Sequence, residues 1–169
     1  SDILKIRYGN EAGEYRELQR PSFALRPGGL TIANGSIDKK IDEKGPYDAE
    51  TFPKKRVRVA ILCPERFKGE VEIFFSQFRD GVPPRPNRDD PFTQGFTRKY
   101  RLTGCEFKLF PIVSDKEDSN DYKQTSLEAL KDPDGFDLAM IVIREDFHQL
   151  HGENNPYLVS KSTFMSQGV

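Results

Sequence analysis

Several features that would assign a function class directly are missing from this sequence of 169 residues. It contains no tryptophan, two cysteines and two histidines, and no apolar run approaches the roughly 20 residues that a helix needs to cross a bilayer. Its 26 basic and 27 acidic residues nearly cancel, which excludes a histone-like polycation. The N-terminus also lacks the charged-then-apolar layout of a signal peptide. We therefore expect a soluble, cytoplasmic protein with no membrane partner.

The motifs of the common enzyme classes are missing as well. There is no GxGxxG fingerprint, no Walker A loop, no GxSxG elbow and no cysteine pair at zinc spacing. His148 and His151 stand three apart in a polar loop, but a metal site needs three or four converging ligands, so we expect both to be solvated. Four carboxylates after the second strand-like run are expected only to favour a helix N-terminus: Asp115, Glu117, Asp118 and Asp121. The sequence offers no pairing of a nucleophile with a base.

The residues that are present divide the chain near residue 56. Proline and glycine recur through residues 1–55 and break any sustained helical or strand period. This stretch is therefore predicted to be an extended linker or arm with short strand pieces. Residues 56–169 follow a regular pattern and are predicted to form one domain, with the phenylalanines and tyrosines of the chain filling its core.

Three apolar runs predict strands in that domain, namely Val57–Cys63, Cys105–Val113 and Leu138–Ile143. Continuous apolar runs of this length are typical of strands that are covered on both faces, as in parallel sheets. Cys63 and Cys105 lie inside two of the runs. We expect them to pack as small hydrophobic residues and not to form a disulfide or bind a metal.

Helical patterns alternate with these strands. One helix is marked by four apolar residues on a single stripe that should cover the sheet: Val71, Phe74, Phe75 and Phe78. A second is predicted over 120–131, and a third begins with Asn155 as N-cap and Pro156 at the first helical position and runs to about Gln167. The alternation predicts an α/β fold, a small open doubly wound (Rossmann-like) parallel sheet with helices on both faces, preceded by the extended arm.

The insertion between residues 81 and 102 is rich in proline and carries five basic residues: Arg85, Arg88, Arg98, Lys99 and Arg101. A solvated loop is the simple interpretation of this composition. A surface that contacts a phosphate backbone is the alternative.

The last predicted helix has the composition of an anion site. In open α/β sheets, ligands bind outside the carboxyl ends of the strands, where helix N-termini present unpaired N–H groups. Tyr157 and Lys161 are four residues apart and share one face. Because helical side chains lean toward the N-terminus, the Lys161 ammonium can join Tyr157 and the helix-end amides around one phosphate. The simple alternative is a tyrosine and a lysine that only pack or snorkel.

A family resemblance bears on this choice. The segment Asn155–Val169, which reads NPYLVSKSTFMSQGV, follows the apolar run 136–143 and resembles the end of the MID domain of prokaryotic Argonaute proteins. Upstream, three pieces resemble the linker that leads into that domain: PSFAL at 21–25, GL at 29–30 and GPYD at 45–48. The resemblance covers roughly residues 20–169 in the right order.

This resemblance implies a module that anchors the 5′-phosphorylated end of a single-stranded guide RNA or DNA. In that family a Tyr-x-x-x-Lys helix holds the phosphate. The match assigns phosphate contact and first-base stacking to Tyr157 and phosphate neutralisation to Lys161. Asn154 and Asn155 lie in the loop beside the first guide base and are secondary candidates.

The resemblance also implies what lies outside this chain. The family's phosphate-binding glutamine is expected beyond Val169, and a second lysine and the nuclease carboxylates in the PIWI domain of the parent chain. We therefore expect 56–169 to be a MID domain that ends before PIWI, binds and does not cut. A divalent cation such as Mg²⁺ at the phosphate is expected only in the full protein, with no cofactor in this piece.

Two other function classes stay open from the residues alone. A small α/β nucleotide- or sugar-binding domain or enzyme would use the same strand edge and would prefer a free mononucleotide or show turnover. A protein interaction module would bind a partner at the proline-rich insertion and no ligand at the last helix.

Overall fold

The computed structural model describes residues 23–24, 31–32, 37–46, 55–86 and 92–169. Its elements, in chain order, are β1 (Phe23–Ala24), β2 (Thr31–Ile32), α1 (Ile37–Lys44), β3 (Arg56–Pro64), α2 (Lys68–Asp80), α3 (Gly95–Lys99), β4 (Gly104–Ile112), α4 (Ser119–Ala129), β5 (Leu138–Ile141) and α5 (Pro156–Met165). Short 3-10 turns span Glu65–Phe67, Glu145–Gln149 and Gly152–Asn154. In these ranges no helix combines the length and apolarity that crossing a membrane would require.

A parallel three-stranded sheet organises the domain. β3 is its central strand, with β4 on one side and β5 on the other. Leu62 in β3 pairs with Phe110 in β4 and with Ile141 in β5. The chain moves from β3 to β4 and then back past β3 to β5, so right-handed crossovers place α2 and α4 on opposite faces. The predicted open α/β sheet with helices on both faces is confirmed.

Two apolar clusters flank β3 because successive side chains of a strand point to opposite faces. On one face, Val59 and Ile61 pack with Phe75 of α2. On the other, Leu62 packs with Phe164 of α5 and with α4. All three strand residues are 0% exposed, which explains why β3 is apolar without alternation from residue 59 onward.

The two cysteines belong to the first of these clusters. Cys63 and Cys105 are both free and buried, and burial raises the pKa of each thiol. The prediction that they pack as small hydrophobic residues is confirmed.

The apolar stripe of α2 covers the sheet only in part. Val71 and Phe75 are buried, and Phe78 packs against their cluster, but Phe74 is 57% exposed. The prediction that all four residues face the sheet is therefore wrong for Phe74. At about 100° per residue, Phe74 lies at the edge of the stripe, where its ring stacks on Phe78 at 6.2 Å between centroids and leaves one side in solvent.

The arm contains more structure than its composition predicts. β1 and β2 form an antiparallel pair, which agrees with the expected strand pieces. Residues 37–44 form the helix α1, however, where an extended chain was predicted. The other residues of the 1–55 arm, apart from Lys55 and the turn that follows α1, lie outside the described residues.

A buried lysine in the insertion joins α1 to the domain. The side chain of Lys99 in α3 is 1% exposed, and its Nζ lies 2.7 Å from Oδ1 of Asp38 and 2.9 Å from Oδ1 of Asp42. Gly45, at the end of α1, is buried, and a Cβ there would stand 2.5 Å from Nε of Arg101. The phosphate-contact interpretation of the insertion is therefore wrong for Lys99, whose charge is used within the chain. Arg88 lies outside the described residues.

Candidate functional site

The last helix begins at the edge of the sheet where the strands end. Phe147, in the turn before α5, packs with Ile112, the last residue of β4, and with Tyr122 of α4. The side chain of Asn155 then donates from Nδ2 to the carbonyls of Leu150 at 2.7 Å and Phe147 at 3.4 Å. The N-terminus of α5 is thereby fixed to the carboxyl edge of the sheet, as the sequence predicts.

Tyr122 of α4 packs against this edge of the sheet. It is 0% exposed, its hydroxyl donates to the carbonyl of Val142 at 2.8 Å, and its ring meets Phe147 edge-on at 6.2 Å between centroids. Burial, with the nearby charge of Glu117, raises the pKa of the phenol. This tyrosine is therefore a neutral part of the scaffold that holds the turn.

Tyr157 and Lys161 come together on the outer face of α5. Tyr157 is 41% exposed and Lys161 is also exposed, and the Lys161 ammonium lies 5.7 Å from the centroid of the Tyr157 ring. This separation is within cation–π range. The expected backward lean of Lys161 is confirmed, and it places one positive charge beside an accessible aromatic ring.

The helix-end amides differ from expectation. Asn155 Oδ1 accepts hydrogen bonds from the backbone N–H groups of Tyr157 at 2.9 Å and Leu158 at 3.2 Å. Pro156 has no N–H, and the Val159 N–H donates to the Asn155 carbonyl at 3.1 Å. The prediction of free amides around an anion is wrong for this structure, because the cap that the sequence predicts uses the same donors. An anion here would meet side chains and the helix dipole.

The two asparagines occupy different environments. Asn154 is exposed and closes the 3-10 turn before α5. Asn155 is 8% exposed, with both polar ends of its amide engaged in the cap and the turn. The structure gives Asn155 a capping function, and a contact of either residue with a base stays a prediction.

An ion-pair cluster at the same edge has no counterpart in the sequence prediction. Glu117, 5% exposed, accepts a hydrogen bond at Oε2 from Nη2 of Arg66 at 2.7 Å, and Nη1 of Arg144 lies 3.9 Å from the same oxygen. Arg144 also donates to Asp146 at 2.8 Å, which lowers the pKa of that carboxyl. The neighbouring Asp118 does cap α4, in a capping box with Asp121. In the sequence, Glu117 is one more acidic residue in a polar run. Only the folded structure, in which β5 lies beside β3, shows that Arg66 and Arg144 both approach it.

The two histidines lie in the loop before α5. His148 and His151 are exposed. In the part of the chain that the structure describes, no three His, Cys, Asp or Glu side chains come together as a metal site.

The chain is similar in sequence to a known protein. No protein-family model matches the chain. Over 133 residues the chain is 29% identical to "Protein argonaute" of Cereibacter sphaeroides (strain ATCC 17025 / ATH 2.4.3), a match that covers 76% of this chain. The chain spans 17% of the length of that relative. This distant similarity supports an Argonaute-related origin for the chain.

Proposed function

We propose that this chain is the MID domain of an Argonaute, with part of its preceding linker, and that it anchors the 5′-phosphorylated end of a single-stranded guide nucleic acid. The observation that carries the proposal is the pairing of Lys161 with Tyr157 at the carboxyl edge of the sheet, 5.7 Å from ammonium to ring centroid. The distant similarity to a bacterial Argonaute supports the class of ligand.

The chemistry of the pair suits a terminal phosphate. An ammonium and a phenolic hydroxyl can both donate to phosphate oxygens, and hydrogen bonds between charged groups are about twice as strong as neutral ones. The dipole of α5 adds a favourable potential for an anion at its N-terminus even with its amides capped. The exposed ring offers a flat surface for the first base, and such stacking is worth roughly 1–3 kcal/mol.

The test compares one oligonucleotide with a 5′-phosphate and with a 5′-hydroxyl by fluorescence anisotropy. We expect the phosphorylated strand to bind more tightly. Lys161→Ala should remove about tenfold or more of that preference, the size expected for a lost charge-assisted hydrogen bond. Tyr157→Phe should bind better than Tyr157→Ala because the phenylalanine keeps the stacking surface.

A matched control separates a local contact from a change in net charge. Lys131 is an exposed lysine that follows the C-terminal end of α4 and pairs with Glu128 at 2.6 Å. Lys131→Ala makes the same charge change away from the site. It should leave the phosphate preference intact. Equal binding of both strands by the wild type would refute the proposal. A mononucleotide that competes as well as the oligonucleotide would favour the nucleotide-binding alternative.

A further inference from the structure

The strongest unexplained feature at this edge is a buried carboxylate. Glu117 is 5% exposed, and its backbone has φ +49°, a left-handed conformation that is uncommon outside glycine, asparagine and aspartate. It precedes the Asp118 cap and is not needed to start α4, since Asp118 and Asp121 form the capping box. A strained residue with a buried charge persists only where surrounding contacts fix it.

Those contacts come from the ends of two neighbouring strands. Arg66 follows β3 by two residues and Arg144 follows β5 by three, and both guanidinium groups approach Oε2 of Glu117. Beyond this point the chain goes from β3 to α2 on one face and from β5 to α5 on the other. Strand ends whose connections diverge in this way leave a crevice in open α/β sheets, and Glu117 ties the two connections together across it.

From Arg144 the contacts continue to the candidate phosphate site. The Arg144 guanidinium lies 4.9 Å from the centroid of the Phe147 ring. The Phe147 carbonyl accepts from Asn155, whose Oδ1 holds the amides of Tyr157 and Leu158. Four consecutive contacts thus connect Glu117 with the first turn of α5, where Tyr157 lies.

We propose that Glu117 is a positioning residue for the phosphate site. By holding Arg144 and Arg66 at the ends of β5 and β3, it fixes the turn 145–155 and with it the start of α5, which sets where the Tyr157 ring and the Lys161 ammonium meet a ligand. This proposal takes its ligand from the proposed function, but the effect of Glu117 on the start of α5 does not depend on a ligand.

Charge is the property that the position needs. Both guanidinium groups lie near the same oxygen, which carries negative charge in a carboxylate and none in the amide of a glutamine. Glu117→Gln keeps the size of the side chain and removes this attraction. Glu128→Gln is the matched control, since Glu128 is an exposed residue of α4 whose partner is the exposed Lys131.

The first measurement needs no ligand. At a temperature where circular dichroism shows both variants folded, amide hydrogen exchange is followed at Asn155, Tyr157 and Leu158. Glu117→Gln should speed exchange there by roughly fivefold or more relative to the core of β3, and Glu128→Gln should not. Arg144→Gln should give the same local pattern, and the double variant should add little to either single one.

The second measurement is the 5′-phosphate preference of the same variants. We expect Glu117→Gln to reduce it by roughly fivefold and Glu128→Gln to leave it unchanged. Should Glu117→Gln fail to fold, Arg144→Gln replaces it, because the Arg144 side chain is partly exposed and its loss removes the contact between Glu117 and the turn while Glu117 stays paired with Arg66.

The outcomes separate the two proposals. A loss of stability spread over the whole domain, with normal exchange at the start of α5 and an unchanged phosphate preference, would make Glu117 merely structural and overturn the inference. No phosphate preference in the wild type would refute the proposed function, and the exchange pattern would then still decide whether Glu117 fixes the turn.

Discussion

Replacing Asn155 separates a helix cap from a ligand contact. Asn155→Ala removes two hydrogen bonds from the cap, at 2.9 and 3.2 Å, and two to carbonyls of the turn, at 2.7 and 3.4 Å. Loss of an N-cap costs about 1 kcal/mol, and the shorter carbonyl bond contributes about 1 kcal/mol more, with little from the longer one. We expect the free energy of unfolding to fall by about 2 kcal/mol, equivalent to roughly 4–8 °C in Tm for a chain of this size.

Asn155→Asp removes only some of these hydrogen bonds. The carboxylate keeps the cap and favours the positive end of the helix dipole, but it loses the Nδ2 donor and faces the carbonyl of Leu150. We expect it to cost less than alanine in stability. Its negative charge next to the candidate phosphate site should also weaken binding of a 5′-phosphorylated strand more than of the 5′-hydroxyl strand.

Urea denaturation of wild type and both variants, with anisotropy on the same samples, provides the assay. The reasoning fails if Asn155→Ala unfolds at the wild-type midpoint. If that variant also bound the 5′-phosphorylated strand more weakly, Asn155 would be a ligand contact and the cap energetically negligible.

Two further predictions concern stability. Ser160 is 0% exposed, and its hydroxyl finds no hydrogen-bond partner in the described part of the chain. Ser160→Ala should therefore stabilise the domain by about 1 kcal/mol in urea melts, whereas the control Ser162→Ala, on the exposed face of α5, should not. A destabilised Ser160→Ala would show that the hydroxyl is paired. Hydrogen bonds from Lys108 and then Arg58 lower the pKa of Asp132 to about 2. Its contribution to stability is therefore complete above the ordinary carboxyl pKa of 3.8 and is lost as pH falls toward 2. Asp132→Asn should therefore make the denaturant midpoint less dependent on pH between about 4 and about 2. An unchanged pH dependence would contradict the assignment.

Local sequence determined the elements that form the candidate site. The apolar runs around Val59 and Leu109 specify strands, because β-branched and aromatic residues fit a parallel sheet. Asn155 followed by Pro156 specifies where the last helix begins. The spacing of Tyr157 and Lys161 then fixes their shared face, since a helix repeats every 3.6 residues. These are short-range effects that require no knowledge of distant partners.

The tertiary structure alone decided how charges and donors are used. α1 has an irregular apolar pattern, and its docking depends on Lys99, which lies 61 residues from Asp38 in the chain. Glu117 resembles its solvated neighbours in sequence, yet the return of β5 beside β3 brings Arg66 and Arg144 to it. A buried charge is stable only when paired, and such pairs form between residues far apart in sequence. Composition and periodicity carry no record of them, so only the folded chain shows which polar residues are exposed and which are paired within it.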